Sequence, residues 1–464
     1  MYPIITLSIT GLLTLFLGLT SYRKALLPFS LLSIIVALVS NFFDWGKPGL
    51  YFGDMIAIDN FVLLVQSIIL FSSFLIISIS DGLFKDEHSS PAEYYALIQF
   101  TVIGALLMVA FKNFIMLFVG LEILSVGLYI LAGVDKRNLR GNEAALKYFL
   151  MGSFATGILL FGIAMYYGAT GTFDIDGGLN VAGRLPEGKI FFYIGITFIL
   201  VGMLFKISAV PFHFWTADVY QGSPTIFTAY MATVVKTAGI FALLKLTMSS
   251  FSGEYPFWSK ILVVVVALSL FVGNIAAVYQ SNMKRMLAFS SISQAGFMLL
   301  SLLGLNGLSY GNLAYYSLSY ALATVGSFGV LMIISSNVLE NGRPKEDFDI
   351  FNGLMKKQPV LATVLIVSML SLSGIPLTSG FWSKFFVLND AAGRGYSWLL
   401  VFGIIMSAIS VYFYFKPIRA VFKDPNPNHH EIIEVNSFPK IILLTTALLS
   451  IILGVFPNIF RGLF

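Results

Sequence analysis

Five ionisable residues stand inside apolar stretches: Glu122 in LFVGLEILSVGL, Lys147 in EAALKYFLMGS, Lys206 in LFKISAVPFHF, Lys236 in YMATVVKTAGIF and Lys384 in GFWSKFF. A charge at the centre of a bilayer costs at least ~2.5–3.5 kcal/mol on insertion scales. Five of them turned towards lipid would be hard to insert, so they are expected to face inward and find partners. Glu143 lies four residues before Lys147 and shares its helix face. Fixed salt bridges, or lysines snorkelling from helix ends, are the plainer account of such residues. That account suits Lys147, near the start of its helix, better than Glu122, Lys206 or Lys236.

The chemistry these residue types could do is proton transfer. Burial disfavours an ammonium and a nearby carboxylate favours it, so a buried lysine responds strongly to its surroundings. A carboxylate such as Glu122 moving towards or away from Lys206 would make the lysine hold or release its proton. Each tenfold change in proton affinity is worth ~1.4 kcal/mol, against ~2.3 kcal/mol to move one charge through 100 mV. A swing of about a hundred- to a thousandfold therefore covers the load of an energised membrane. His213 follows closely on Lys206 and is a candidate for the relay, although a lone buried histidine is often simply hydrogen-bonded. His429 and His430, in the polar stretch DPNPNHHEIIE, read as solvated.

The elements that must position these groups are membrane helices. The 464 residues are 57% hydrophobic and 11% charged, with a mean hydropathy of +0.87; a soluble domain carries roughly 25% charged residues. Cysteine is absent, which excludes disulfides, thiolate metal sites and iron–sulfur ligation by this chain. The net charge of +5 needs only loop lysines and arginines at a membrane surface, and no nucleic acid. The first apolar run, 2–20, has its charges Arg23 and Lys24 after it, which reads as a spanning helix rather than a signal peptide.

Apolar runs suggest an all-α polytopic membrane protein with about fourteen transmembrane helices: 2–20, 25–43, 57–80, 92–111, 113–132, 142–168, 190–214, 223–244, 261–280, 286–305, 312–338, 359–389, 396–415 and 441–457. Loops after odd-numbered spans hold sixteen basic residues, Lys85, Lys284, Arg285 and Lys423 among them. The other side holds eight, including Lys47, Arg184, Lys245, Arg394 and Arg461. The positive-inside rule then places the odd loops in the cytoplasm and both termini outside.

The seventh and twelfth spans each contain an interior proline, Pro211 and Pro376, followed by an aromatic cluster. Proline opens a helix, which lipid tolerates only where protein or a water-filled cavity satisfies the freed groups. The two spans are five apart, and a unit with an odd number of helices re-enters the membrane inverted. Broken helices at matched places in inverted repeats point to an ion pathway. The expected organisation is 1–90 for helices 1–3, 91–250 for a first repeat (helices 4–8), 255–425 for a second, inverted repeat (helices 9–13) and 426–464 for helix 14.

FKISAVPFHFWTADVYQGSPT, MKRMLAFSSISQAGFMLL and LSGIPLTSGFWSKFF closely resemble the subunit N family of bacterial respiratory complex I. Its members are antiporter-like membrane subunits of proton-pumping NADH:quinone oxidoreductase. The resemblance covers nearly the whole chain. It implies discontinuous helices 7 and 12 in two inverted five-helix half-channels, a Glu122–Lys206 coupling pair, Lys236 as central relay and Lys384 at the outlet. Lys147 and His213 would be accessory, with Glu143, Pro211, Pro376, Asp218 and Gln294 in supporting places. NADH, flavin, iron–sulfur clusters and quinone would belong to partner subunits, with none bound by this chain. The implied neighbours are small K-type and antiporter-like M-type subunits, in a bacterial inner membrane with periplasmic termini. The related M type usually has glutamate where Lys384 stands, and the L type has a long lateral helix for which Phe464 leaves no room. Gln294 stands where family members often have a histidine, and glutamine does not titrate near neutral pH; it could hold a water chain by hydrogen bonding.

Two other functions compete. A subunit of a multisubunit monovalent cation/proton antiporter shares the ancestry and the lysine motif. A haem or metal subunit is disfavoured by the missing cysteines and the single histidine at membrane depth. No GxxxxGK[ST] phosphate loop occurs. The glycines of GATGTFDIDGGLNVAG are explained by turn formation.

Overall fold

The computed structural model describes residues 1–20, 22–80, 91–177, 186–304, 308–340, 343–424 and 436–458. His429, His430, Lys85, Arg184, Arg461 and the end of the glycine-rich loop lie outside them. The described residues form eighteen α-helices. In chain order α1 to α6 are Tyr2–Gly18, Leu26–Asn41, Asn60–Ser78, Pro91–Ala110, Phe114–Ala132 and Leu139–Thr170. Helices α7 to α12 are Pro186–Lys206, Thr216–Gly222, Thr225–Tyr230, Lys236–Met248, Tyr255–Val278 and Met283–Gly304. Helices α13 to α18 are Ser309–Ser335, Leu354–Lys357, Pro359–Ser373, Ser379–Gly393, Ser397–Phe422 and Ser437–Val455. Two short antiparallel hairpins, Gly49–Tyr51 with Ile56–Ile58 and Leu339–Glu340 with Arg343–Pro344, depart from the all-α expectation only in the loops.

Twelve of the described helical stretches are long and apolar enough to cross a membrane. Shorter apolar helices, α1 and α15, occupy the first span and the start of the twelfth. Burial sorts the spans. In the most apolar 18 residues of each span, Thr225–Met248 is 100% buried and Met283–Gly304 94%, against 33% for Leu139–Thr170 and Ser397–Phe422. The exposed faces carry Phe154, Phe161, Val264, Phe271 and Tyr412. A membrane protein needs such faces, because lipid is as apolar as the side chains that meet it. The interior holds many hydroxyls, which bond back to their own helix, as in Ser72 to the Ile68 carbonyl (2.7 Å) and Ser125 to that of Leu121 (2.6 Å).

The chain forms two compact units: Met1–Phe74, Phe84–Trp215 and Val234–Val265 make the first, and Leu75–Leu83, Thr216–Thr233 and Val266–Phe464 the second. In the first, α4 packs on α5 and α6 on α7. Asn113 and Asn138 cap α5 and α6, accepting from the Ile115 and Arg140 amides. In the second, α12 packs on α16, and α13 on α15, α16 and α18.

Lys284, Lys245 and Lys416, expected in loops, lie in helices and reach backbone carbonyls. Lys284 and Arg285 lie in the first turn of α12, which starts at Met283 rather than 286, and Lys284 is buried. Its ammonium donates to the Ser223 carbonyl at 2.8 Å and to that of Gln221 at 3.4 Å, and pairs with Glu346 at 2.8 Å. A helix leaves its last carbonyls without partners, and Lys284 supplies the donor and positive charge that the end of α8 lacks. Lys245 and Lys416 likewise lie within helices, donating to backbone carbonyls of Val109 and of Val278 and Gln280.

Two predictions follow from this packing. A Cβ on Gly380 would lie 1.7 Å from the Ser371 carbonyl oxygen, so Gly380→Ala forces α16 off α15. The assembled protein recovered from membranes should fall sharply, which blue-native electrophoresis measures. Glu346→Gln leaves the Lys284 charge buried without its carboxylate, at a cost of about 3 kcal/mol. A lower thermal midpoint for the purified protein, largely restored by Lys284→Met in the same background, is the expected result.

Candidate functional site

Each compact unit holds an interrupted helix. α7 ends at Lys206, and α8 begins only at Thr216. At this end the amide of Ser208 donates to the Phe205 carbonyl (3.0 Å) and that of Ala209 to the Leu204 carbonyl (2.9 Å). Ser208 is left-handed, φ +64°, so the end is a Schellman motif with serine in the place usually taken by glycine. The peptide bond before Pro211 is cis. α15 ends in the same way. The Gly374 amide reaches the Ser371 carbonyl (3.0 Å) and the Ile375 amide that of Leu370 (3.1 Å), with Gly374 at φ +83° and Pro376 next in line. Each proline thus follows a closed helix end, where its missing N–H costs nothing. The spans at 190–214 and 359–389 are interrupted, as the prolines implied.

Each end holds a lysine. Lys206 is the last residue of α7 and 5% exposed; its ammonium donates to Ser125 Oγ on α5 at 2.8 Å and lies 5.9 Å from the Tyr148 ring centroid. Tyr148 stacks on Trp215 at 4.7 Å and 13°, and the Trp215 indole donates to the Phe205 carbonyl at 3.3 Å. A small cavity of about 10 Å³, measured for the centre of a water molecule, is lined by Ser125, Tyr129, Tyr148, Thr156 and Lys206. That is room for about one water. Glu122 sits one turn of α5 before Ser125. Among the described residues no carboxylate lies within 4.0 Å of the Lys206 ammonium. Glu122 Oε1, Ser208 Oγ and His213 Nδ1 are buried and have no hydrogen-bond partner in the protein. Buried polar atoms of this kind are satisfied by water.

Lys236 is 1% exposed and opens α10, directly after a π-helical turn, Met231–Val235. Such turns recur at functional sites. A Cβ on Gly239, one turn further along, would meet Ile207 at 2.7 Å and the Lys206 side chain at 3.9 Å, so α10 passes beside the end of α7. Lys147 and Glu143 form an i, i+4 ion pair at 2.7 Å with side chains 41% and 63% exposed, on the outer side of α6. His213 is half-buried and stacked on Phe214. Pro211 is exposed.

In the second unit Lys384 reaches back from α16 to the end of α15. Its ammonium donates to the Ser373 carbonyl at 2.8 Å and to Ser407 Oγ at 3.1 Å, and lies 5.0 Å from the Phe297 ring centroid. The side chain lies across Gly374, where a Cβ would come within 2.9 Å of Lys384 Cδ. A second cavity of about 10 Å³, for the centre of a water molecule, is lined by Gln294, Tyr316, Ser319, Ser383 and Lys384. The Gln294 amide donates to the Leu372 carbonyl (3.0 Å) and Tyr414 Oη (3.1 Å) and accepts from Tyr316. It ties two tyrosines to the end of α15. Asp218 pairs with Arg285 at 3.0 Å, next to the Gln221 side chain.

Residue type and spacing did not reveal Ser125, Tyr148, Lys284 or Asp390 as parts of these clusters. Asp390 had the clearest signal, standing one residue beyond the expected end of the twelfth span.

The family described as NADH:quinone oxidoreductase/Mrp antiporter, TM, matches residues 112–410. NADH-quinone oxidoreductase subunit N of Flavobacterium johnsoniae is 39% identical over 472 residues, covering 99% of each chain. A chain of respiratory complex I from Thermus thermophilus with bound aureothin superposes with a TM-score of 0.85 at 33% identity, over 99% of this chain and 98% of that one. A chain of the Mrp complex from Dietzia sp. has the same fold, TM-score 0.86 at 18% identity, over 99% and 95% of the two chains. With twelve apolar spans among the described residues and two lysine-bearing helix ends, the chain belongs to the subunit N family of NADH-quinone oxidoreductases.

Proposed function

We infer that the chain is a proton-translocating membrane subunit of NADH:quinone oxidoreductase, driven by quinone reduction in other subunits. The observation that carries this reading is the pair of buried ammonium groups, Lys206 and Lys384, each held by neutral oxygens at a broken helix end and each beside a cavity of water size. A lysine held by a carboxylate is locked in its charged form; one held by a hydroxyl can lose its proton. Glu122, near Lys206 but not paired with it, supplies the movable charge. The sequence similarity favours this reading over the cation/proton antiporter, since the quinone-reductase relative is 39% identical and the Mrp chain 18%.

In detail, Glu122 and Lys206 couple, Lys236 relays and Lys384 releases, with His213 and Lys147 as accessories. Pro211 and Pro376 stop their helices, and Glu143, Asp218 and Gln294 support the carriers. Residues 91–250 and 255–425 form inverted half-channels between helices 1–3 (1–90) and the last helix (426–464). The matching Schellman ends of α7 and α15 support that symmetry. Flavin, iron–sulfur and quinone chemistry belongs to partner subunits; K-type and M-type subunits are the neighbours. The membrane is the bacterial inner membrane, with both termini in the periplasm.

In vesicles carrying the assembled complex, Lys206→Ala should lower protons pumped per electron by more than half, and unimpaired pumping would remove its coupling role. Lys384→Ala should impair release; pumping and quinone reduction both at parental rates would reject it. Because the chain has no cysteine, single cysteines report topology. A membrane-impermeant maleimide should label Lys47→Cys in intact spheroplasts, and Lys423→Cys only after permeabilisation.

A further inference from the structure

Among the described residues, the charged side chains that are fully buried are Asp44, Lys206, Lys236, Lys284, Lys384 and Asp390. Asp44 pairs with the Met1 ammonium at 2.8 Å, and Lys284 with Glu346. Asp390, 1% exposed, is the buried carboxylate that the pathway above leaves unused.

It lies on α16 six residues beyond Lys384, about 9 Å further along the axis at 1.5 Å per residue. Asp390 accepts from Ser301 Oγ of α12 at 3.1 Å and from Asn312 Nδ2 of α13 at 2.8 Å. These partners continue the faces that line the Lys384 cavity. On α12, Gln294, Phe297 and Ser301 follow at helical spacing; on α13, Asn312 is one turn from Tyr316. Beyond Asp390, one more turn of α16 brings Arg394, which is exposed and donates to the Gly304 carbonyl at 3.0 Å. A polar stripe thus runs from Lys384 past Gln294 and Tyr316 to Ser301, Asn312 and Asp390, and reaches the surface at Arg394. Among the described residues, the charged groups along it are Lys384 and Asp390 on α16 and Arg394 just past its end.

Ser301 and Asn312 can each donate or accept. Asn312 Oδ1 is buried with no protein hydrogen-bond partner, so the amide that donates to the carboxylate can, turned over, accept from the carboxylic acid. These two partners suit both protonation states of Asp390.

We propose that Asp390 takes the proton that Lys384 releases and delivers it to water at the C-terminal end of α16. In the step, the Lys384 N–H bond breaks and an O–H bond forms on Asp390, through water in the Lys384 cavity. Ammonium and carboxylate become amine and carboxylic acid, with net charge unchanged. A low-dielectric interior favours that exchange, because it removes two buried charges. The O–H then loses its proton to bulk water and the carboxylate returns.

The proposal rests on Lys384 as a proton carrier, so Lys384→Ala is measured beside Asp390→Asn and Asp390→Glu in vesicles carrying the complete complex. Asp390→Asn keeps the shape and can still bond Ser301 and Asn312 but cannot carry a proton. It should assemble and fall below about half of the parental protons per electron. Asp390→Glu should pump with an altered pH profile. Parental pumping in Asp390→Asn, with Lys384→Ala impaired, overturns the proposal and leaves the Lys384 assignment standing. Parental pumping in both removes the two together. Should Asp390→Asn fail to assemble, Asp390→Glu decides: a shifted pH profile supports the relay, and a parental profile overturns it.

Discussion

An ammonium group inside an apolar membrane protein must keep its hydrogen bonds without keeping its water, and this constraint shapes the structure. Each stranded charge costs several kcal/mol unless it finds oxygens. Lys206 finds Ser125, and Lys384 finds Ser373 and Ser407. A helix C-terminus offers what a cation needs, since its last carbonyls lack partners and carry partial negative charge. The chain makes such ends in mid-membrane by stopping α7 and α15 early. Pro211 and Pro376 keep the helices from resuming at once.

The same device recurs with different cations. Lys284 serves the end of α8, but a carboxylate, Glu346, fixes its charge. Among the described residues, the hydrogen-bond partners of Lys206 and Lys384 are neutral, and each has a cavity of water size. That difference separates a structural lysine from one whose proton can leave. The unpaired Oε1 of Glu122 and Nδ1 of His213 belong to the second kind of environment, since water must complete their bonding. The left-handed Ser208 fits as well. Glycine would close the helix with less strain, but only serine adds a hydroxyl at the break.

Helix packing sets how tightly these ends can be held. Gly380 lets α16 cross the carbonyl of Ser371 at a distance no side chain allows, and Gly374 makes room for the Lys384 side chain. The close fit leaves cavities for about one water each, not channels. Proton movement through such a site needs hydration that comes and goes. A shift of Glu122 or of the α10 segment beside Lys206 is the kind of change that could supply it.

The amino-acid sequence alone determined that the chain spans a membrane many times, because its apolar runs and few charges leave no other stable solvent. It also marked the two breaks and the lysines beside them, since proline and charge are costly enough in lipid to stand out. Partners were a different matter. That Lys284 is buried under α8, that Gln294 binds two tyrosines and that Asp390 sits among Ser301 and Asn312 depend on helices far apart in the chain. Hydropathy records how deep a residue lies, not which helix faces it. Depth is a property of one segment, whereas a hydrogen bond between segments exists only once they have packed.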